Sequence, residues 1–275
     1  MKIITFIIFY SFFSSQVWAI SKCPPWEEYQ NYFKNAKYRP YRIDALKAKG
    51  IFIIAHGLNN TSDSMRPLQI ELAKLGYSSV SLSLKGHRGI KKEMGSVRLK
   101  DWTSDLDRLY CGLKKETDSI YGLGYSMGAL LLVHHQRFYK KLVFLSPAFK
   151  IKPLFYFLSP LSYLYGEIMI PSRNVKEYRS HSSTSLSMYR ALFDLYSTFS
   201  WSEVKNAFLF INPKDELLDI ESIIHSSKKL NIDYKIIRPT KVTTSKIYNH
   251  LIVDAASMGS EWQLFKKTLG DFLRD

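Results

Sequence analysis

The 275-residue chain is short of several features, and each shortage excludes a class of protein. It has two cysteines, which excludes a disulfide-scaffold fold and a zinc module built on several cysteines. Beyond the N-terminal stretch, no run approaches the roughly 18 uninterrupted apolar residues of a membrane span, so we expect the body of the protein to be soluble. The chain also lacks internal repeats and low-complexity tracts, and its 46% apolar residues exclude intrinsic disorder as the main state.

Acidic residues are in the minority. The chain has 24 Asp and Glu against 39 Lys and Arg, which gives a formal net charge of +15. The basic residues are dispersed along the chain, so we expect no nucleic-acid partner; solubility or peripheral contact with an anionic membrane explains them more simply. Aromatic residues make up 15% of the chain, which suits apolar or amphipathic ligands, although a core rich in phenylalanine gives the same number.

The N-terminus has the layout of a secretory signal peptide. Lys2 supplies a positive charge, residues 3–13 form an apolar core, and Val17 and Ala19 are small residues at the expected cleavage site. We therefore predict a signal peptide over residues 1–19 and an exported protein, periplasmic or secreted. An uncleaved anchor is the alternative, but the apolar core is short for the roughly 30 Å of a bilayer interior.

Export would place Cys23 and Cys111 in an oxidising compartment, where two cysteines allow one disulfide between the new N-terminus and the domain. The alternative is that Cys111 is a small apolar core residue in a helix and that Cys23 is exposed.

Apolar runs typical of buried strands alternate with helical patterns along the chain. Strands are predicted over residues 51–55, 77–84, 119–125, 141–145, 207–211 and 234–237, and helices over residues 65–75, 102–113, 126–135 and 261–273. This alternation predicts an α/β fold with a mostly parallel central sheet flanked by helices.

Residues 148–201 break the alternation. This segment is too long for an ordinary connection and too aromatic for a solvated loop, so we interpret it as an inserted helical cap, or lid. The core of the domain would then consist of residues 20–147 and 202–275.

The strongest local motif is G-x-S-x-G, formed by residues 124–128 where a strand ends and a helix begins. In such a turn the serine hydroxyl projects above the sheet edge, and the flanking glycines, Gly124 and Gly128, leave room for the adjacent strand and helix. Ser126 is therefore the candidate nucleophile.

A serine hydroxyl needs a base and an orienting carboxylate. His250 is the favoured base because it lies in a loop between the last predicted strand and the terminal helix, whereas His225 belongs to a helical stretch. Asp215 is the favoured acid because it follows the strand over residues 207–211. Glu216 and Asp219 remain alternatives, since a short loop could present either of them or use it to cap the next helix.

The tetrahedral intermediate of such a reaction needs amide donors around its oxyanion. The N–H of Met127, directly after the candidate nucleophile, is one candidate. The N–H of Leu58, in the loop His56-Gly57-Leu58 after the first strong strand, is the second. We expect His56 to brace this loop rather than to act as an acid or base.

These residues and several other motifs resemble the α/β-hydrolase group that includes bacterial monoacylglycerol lipases and related carboxylesterases. The motifs are His56-Gly57-Leu58, Ser64-Met65-Arg66-Pro67-Leu68, Gly76-Tyr77, Leu84-Lys85-Gly86-His87, and Asp101-Trp102 with Asp105. The resemblance implies a serine esterase or lipase that forms an acyl-enzyme, uses no metal or cofactor, and has a small cap over an acyl tunnel. Three positions depart from the group: Arg88 replaces a glycine, and Asn212 and Pro213 replace small residues before the acid.

Three functions are considered for this set of residues. The first is hydrolysis of carboxylic esters with an apolar acyl chain, such as monoacylglycerol or lysolipid. The second uses the same residues on an amide or a thioester. The third is a non-catalytic envelope binding protein on a hydrolase scaffold, which would predict the loss of a triad member, and none is lost.

Overall fold

The computed structural model describes residues 40–274 of the chain. The strands are β1 (Tyr41–Ile43), β2 (Ile51–Ala55), β3 (Ser78–Ser81), β4 (Ile120–Tyr125), β5 (Leu142–Leu145), β6 (Met169–Pro171), β7 (Ser183–Ser185), β8 (Ala207–Ile211) and β9 (Asp233–Ile236). Seven of them form one sheet in the order β1-β3-β2-β4-β5-β8-β9. All neighbours in this sheet are parallel except β1 and β3. The predicted mostly parallel sheet is confirmed.

Helices cover both faces of this sheet. They are α1 (Arg66–Lys74), α2 (Lys91–Met94), α3 (Leu99–Lys114), α4 (Met127–Val133), α5 (Leu158–Leu164), α6 (Leu186–Ser197), α7 (Ile220–Lys229), α8 (Ala255–Met258) and α9 (Trp262–Arg274). Successive residues of a strand point to opposite faces. Ile53 of β2 accordingly packs in one apolar cluster with Trp102 of α3, and Phe52 packs in the other with Leu68 of α1 and Phe265 of α9. Burial on both faces is the reason why β2 is a continuous apolar run.

Strand β1 is not among the strands predicted from the sequence. Tyr41 pairs with Ser81 and Ile43 with Ser79, so β1 adds an antiparallel edge to the sheet. The backbone of this strand is also held from the side by Gln69 of α1, whose Nε2 donates to the Tyr41 carbonyl at 2.9 Å. A half-buried strand of three residues has too few positions to show an alternating pattern, which is why the sequence did not reveal it.

The segment predicted to be a helical cap contains α5 and α6, but also β6 and β7, which form a separate antiparallel pair. Two parts of the segment differ in burial. In α6, Met188, Ala191 and Leu195 pack into the same apolar cluster as α3, so this helix is anchored in the core. In α5, Leu161 and Leu164 are exposed, so its outer face is turned away from the core.

Two predictions concern residues outside the described part of the chain. The signal peptide over residues 1–19 and the structure around Cys23 both lie there. Cys111, the predicted partner of Cys23, lies in α3 and is disulfide-bonded. Within residues 40–274, no helix combines the length and apolar character needed to cross a bilayer.

Arg88, which departs from the resembling group, forms a buried ion pair. Its Nη2 lies 2.6 Å from Oδ2 of Asp105, and both side chains are almost completely buried. Arg88 Nε and Nη2 also donate to the Ser83 carbonyl, and Asp105 accepts the N–H of Lys85 at 2.9 Å. Because both charges are paired and hydrogen-bonded, the arginine is accommodated inside the fold.

Candidate active site

Ser126 lies in a sharp turn between β4 and α4. Its backbone has φ 54° and ψ −117°, which is a rare conformation for a residue with a side chain. The turn requires the two flanking glycines. A Cβ atom on Gly128 would lie 2.0 Å from the carbonyl oxygen of Ala55, and one on Gly124 would lie 2.6 Å from Cα of Ala129. The G-x-S-x-G spacing therefore reflects direct backbone contact between β4, α4 and β2.

The structure brings the predicted serine, histidine and aspartate together. Ser126 Oγ lies 2.7 Å from Nε2 of His250, and Nδ1 of His250 lies 2.7 Å from Oδ2 of Asp215. An ionised carboxylate only accepts hydrogen bonds, so Nδ1 carries the proton and Nε2 of the neutral ring accepts from the serine hydroxyl. All three residues are buried. This arrangement can withdraw the serine proton when the hydroxyl attacks a carbonyl carbon.

Asp215 is held in place by backbone amides at the carboxyl end of β8. Its Oδ1 accepts the N–H groups of Leu217 at 2.8 Å and Leu218 at 3.1 Å, which leaves Oδ2 for His250. The carboxylate is therefore fixed from both sides. Among the three acids of this loop, Asp215 is the one whose side chain contacts the histidine ring.

The two alternative acids have other partners. Glu216 accepts the backbone N–H groups of Asn249 at 3.0 Å and His250 at 3.1 Å, so it fixes the loop that carries the histidine. Asp219 caps α7 by accepting the N–H of Ser222 at 3.1 Å. His225 is exposed on that same helix.

The two predicted oxyanion donors lie beside Ser126. Met127 is the first residue of α4, and Leu58 follows β2 and lines the same pocket as Ser126. Within residues 40–274, neither N–H donates to a backbone carbonyl, so both remain available to a ligand. The Leu58 carbonyl accepts from Nδ2 of Asn174 at 2.8 Å, which ties the loop to the segment over residues 148–201.

Asn174 was not found by sequence reasoning. Its Nδ2 also donates to Oδ1 of Asn60 at 3.0 Å, so one amide group holds two points of the loop after β2. The available signal was weak: Ser172-Arg173-Asn174 is a short polar stretch within an aromatic segment.

His56 is the first residue of the same loop, and its side chain is buried. Its Nδ1–H donates to the carbonyl of Gly57 at 3.0 Å, and its ring centroid is 4.8 Å from that of His87. Burial lowers the pKa of His56 from 6.5 to about 4, and burial together with the neighbouring His56 lowers the pKa of His87 well below its usual value. Both rings are therefore neutral at pH 7.

We expect the buried histidines to make the fold less stable in acid. Because the folded-state pKa of His56 is depressed, the unfolded chain binds more protons between pH 6.5 and about pH 4. The contribution of His56 is complete above pH 6.5 and is lost as the pH falls through that window. Loss of this contribution should lower the free energy of unfolding by about 2 kcal/mol when the pH falls from roughly 7.5 to 5.

Urea unfolding at these two pH values measures this effect. His56→Asn should reduce the pH dependence of the free energy of unfolding, while His225→Gln, a change at an exposed histidine, should not. An unchanged pH dependence in His56→Asn would show that this ring does not carry the effect.

Ser126 opens into a pocket of about 800 Å³, including its mouth. One group of lining residues is apolar and comes from three segments of the chain: Ala148, Ile151, Phe155, Leu158, Leu192, Phe193, Leu217 and Leu218. The other group is polar and comes from the loop after β2 and from residues 172–184: Asn59, Asn60, Ser172, Arg173, Asn174 and Thr184. A ligand with an apolar part and a polar part fits such a pocket. Residues 40–274 hold no group of His, Cys, Asp and Glu side chains arranged to bind a metal ion.

Residues 46–198 match the family described as serine aminopeptidase, S33. The thermostable monoacylglycerol lipase of Bacillus sp. strain H-257 is 34% identical over 82 residues, which are 30% of this chain and 33% of that enzyme. The match thus spans about a third of that relative's length.

Solved structures show the same fold. A metagenome-derived lipolytic enzyme is 17% identical with a TM-score of 0.66, over 85% of this chain and 97% of its own. The monoacylglycerol lipase of Paleococcus ferrophilus is 17% identical with a TM-score of 0.63, over 86% and 98% of the two chains. A soluble variant of the Saccharomyces cerevisiae monoglyceride lipase is 11% identical with a TM-score of 0.63, over 86% and 90%. The chain has the α/β-hydrolase fold and belongs to the serine aminopeptidase S33 family.

Proposed function

We propose that the protein is an exported serine hydrolase that cleaves carboxylic esters with an apolar acyl chain, such as monoacylglycerol or lysolipid. The observation that carries this proposal is the line of hydrogen bonds from Asp215 through His250 to Ser126, together with the partly apolar pocket that Ser126 lines. The monoacylglycerol lipase of Bacillus, which is similar over part of this chain, gives further support.

In the proposed mechanism, Nε2 of His250 takes the hydroxyl proton while Oγ of Ser126 attacks the ester carbonyl carbon. The negative oxygen of the tetrahedral intermediate accepts the N–H groups of Leu58 and Met127. Asp215 stabilises the imidazolium of His250. Collapse of the intermediate breaks the bond to the alcohol, which leaves with the proton from His250, and an acyl-enzyme remains. Water, activated by His250, then attacks the acyl-enzyme and releases the carboxylic acid.

The pocket favours an ester over a peptide as substrate, although the family takes its description from an aminopeptidase. An aminopeptidase must bind the α-ammonium group of its substrate, and a carboxylate is the usual partner for such a group. The lining residues of this pocket include no Asp or Glu, and they include Arg173, which would repel an ammonium group. A thioester would meet the same groups as an ester.

Export is supported by the layout of residues 1–19 and by the disulfide-bonded Cys111, because disulfides persist in oxidising compartments.

Substrate profiling tests the proposed reaction. We expect hydrolysis of p-nitrophenyl acetate, octanoate and palmitate and of monoacylglycerols, with kcat/KM highest for a medium or long acyl chain because the apolar wall binds the chain. Leucine p-nitroanilide should not be cleaved at a comparable rate. Cleavage of the anilide with a higher kcat/KM than any ester, or no turnover of any ester, would contradict the proposal.

A further inference from the structure

Arg173 is a charged residue in a pocket that is otherwise apolar or neutral. It follows β6 in the cap, its side chain is exposed, and it belongs to the polar lining of the pocket. In the described part of the chain, it is the only lining residue with a permanent charge, and no carboxylate forms an ion pair with it. Its guanidinium is therefore available to a ligand.

The two walls of the pocket are built separately. The polar wall is held by the amide of Asn174, which bonds to Asn60 at 3.0 Å. The apolar wall is held by a bridge between Ile151 and Leu218, and the N–H of Lys152 donates to the neighbouring Leu217 carbonyl at 2.9 Å. An acyl chain gains free energy by leaving water for the apolar wall. The alcohol part of the ester is then left to face the polar wall.

Arg173 belongs to the polar lining of the pocket, which is the part that we expect the alcohol to face. Arg173 lines the same pocket as Tyr189 and Tyr248. Burial raises the pKa of both tyrosine hydroxyls, and the charge of Arg173 opposes that rise. The ring of Tyr248 is 5.9 Å from that of His250, the group that protonates the leaving alcohol. The backbone at Arg173 is fixed, because Nζ of Lys246 donates to its carbonyl.

We propose that the physiological ester carries an anionic phosphate or carboxylate group on its alcohol part and that Arg173 binds this group. The inference rests on the proposed ester-hydrolase function and narrows its substrate class. A guanidinium presents parallel N–H donors that match the oxygens of phosphate and carboxylate groups. The net charge of +15 also favours the approach of an anion over that of a neutral ester.

The test compares matched esters with one short acyl chain, each used below its critical micelle concentration. These are a monoacylglycerol, the corresponding acylglycerol phosphate, and the corresponding acyl ester of glycerate. Their alcohol parts carry no charge, a phosphate and a carboxylate respectively, so the effect of each group can be measured separately. We expect the wild-type enzyme to have a higher kcat/KM for at least one anionic ester than for the neutral ester. Arg173→Gln should lower the ratio of kcat/KM for the anionic ester to kcat/KM for the neutral ester by about 10- to 100-fold, mainly through a higher KM for the anionic ester. Arg173→Lys should retain part of the ratio, because lysine keeps the charge but not the planar geometry.

Lys176→Gln is the matched control, because Lys176 is an exposed cation of the same segment that does not line the pocket. It should leave the ratio unchanged. A wild-type preference for the neutral ester, or an equal ratio in wild type and Arg173→Gln, would overturn the assignment of Arg173 while leaving the ester hydrolase intact. Failure of the enzyme to hydrolyse p-nitrophenyl esters as well would instead remove the proposed function, and this inference with it.

Discussion

Ser126→Ala is expected to reduce kcat for ester hydrolysis by about 10³- to 10⁶-fold, with a much smaller change in KM. The substitution removes the oxygen that attacks the ester and leaves the pocket and the amides of Leu58 and Met127 in place. The backbone conformation at this position is already adopted by a residue with a Cβ atom, so alanine adds no new contact there. We therefore expect the free energy of unfolding to change by about 1 kcal/mol or less, the value of the lost hydrogen bond to His250.

Ser146→Ala is the matched control for this experiment. Ser146 is a second buried serine with a positive φ, 40°, and it follows β5, the strand next to β4. Its hydroxyl has no hydrogen-bond partner among residues 40–274. Steady-state kinetics with p-nitrophenyl octanoate should show nearly wild-type activity for Ser146→Ala. Activity of Ser126→Ala above about a hundredth of wild type would be inconsistent with its role as nucleophile.

Asp215→Asn should reduce kcat by about 10⁴-fold near neutral pH, because it reverses the tautomer of His250. Oδ1 of Asp215 accepts two backbone N–H groups, from Leu217 and Leu218, so an asparagine must place its oxygen there and its NH₂ group towards the ring. That NH₂ group donates to Nδ1 and leaves the ring proton on Nε2, facing Ser126. The ring can then no longer accept the serine proton.

Asp219→Asn is the control for the acid, since the sequence alone left Asp219 as an alternative. Asp219 caps α7, and asparagine is also a good capping residue, so both activity and thermal stability should change little. Kinetics and thermal unfolding of the two variants distinguish the roles. A loss of kcat in Asp219→Asn as large as that in Asp215→Asn would show that the acid has been assigned wrongly.

The sheet and the serine turn could be predicted from the sequence because each depends on local requirements. Strands β2 and β4 are buried on both faces, which demands continuous apolar residues. The turn at Ser126 demands small neighbours, because a side chain on Gly128 would overlap the backbone of β2. Both requirements act on neighbouring residues, so each produces a pattern that is visible in a short stretch of the sequence.

The acid, the edge strand and the polar wall depend on contacts between distant segments. Asp215, Glu216 and Asp219 are chemically similar and lie in one loop, so only the folded loop decides which carboxylate faces the histidine. Asn174 contacts Leu58 across 116 positions of sequence, and no local pattern marks such a contact. No local pattern marks the ion pair of Arg88 either, because its partner Asp105 lies in α3.

The central claim is that Ser126 is activated by His250 in the folded protein. Labelling of the wild-type protein with a fluorophosphonate, followed by mass spectrometry of its peptides, tests this claim most directly. We predict one covalent adduct, located on Ser126, that is much slower to form in His250→Gln and absent from Ser126→Ala. An adduct on a different serine, or hydrolytically active protein that acquires none, would contradict the claim.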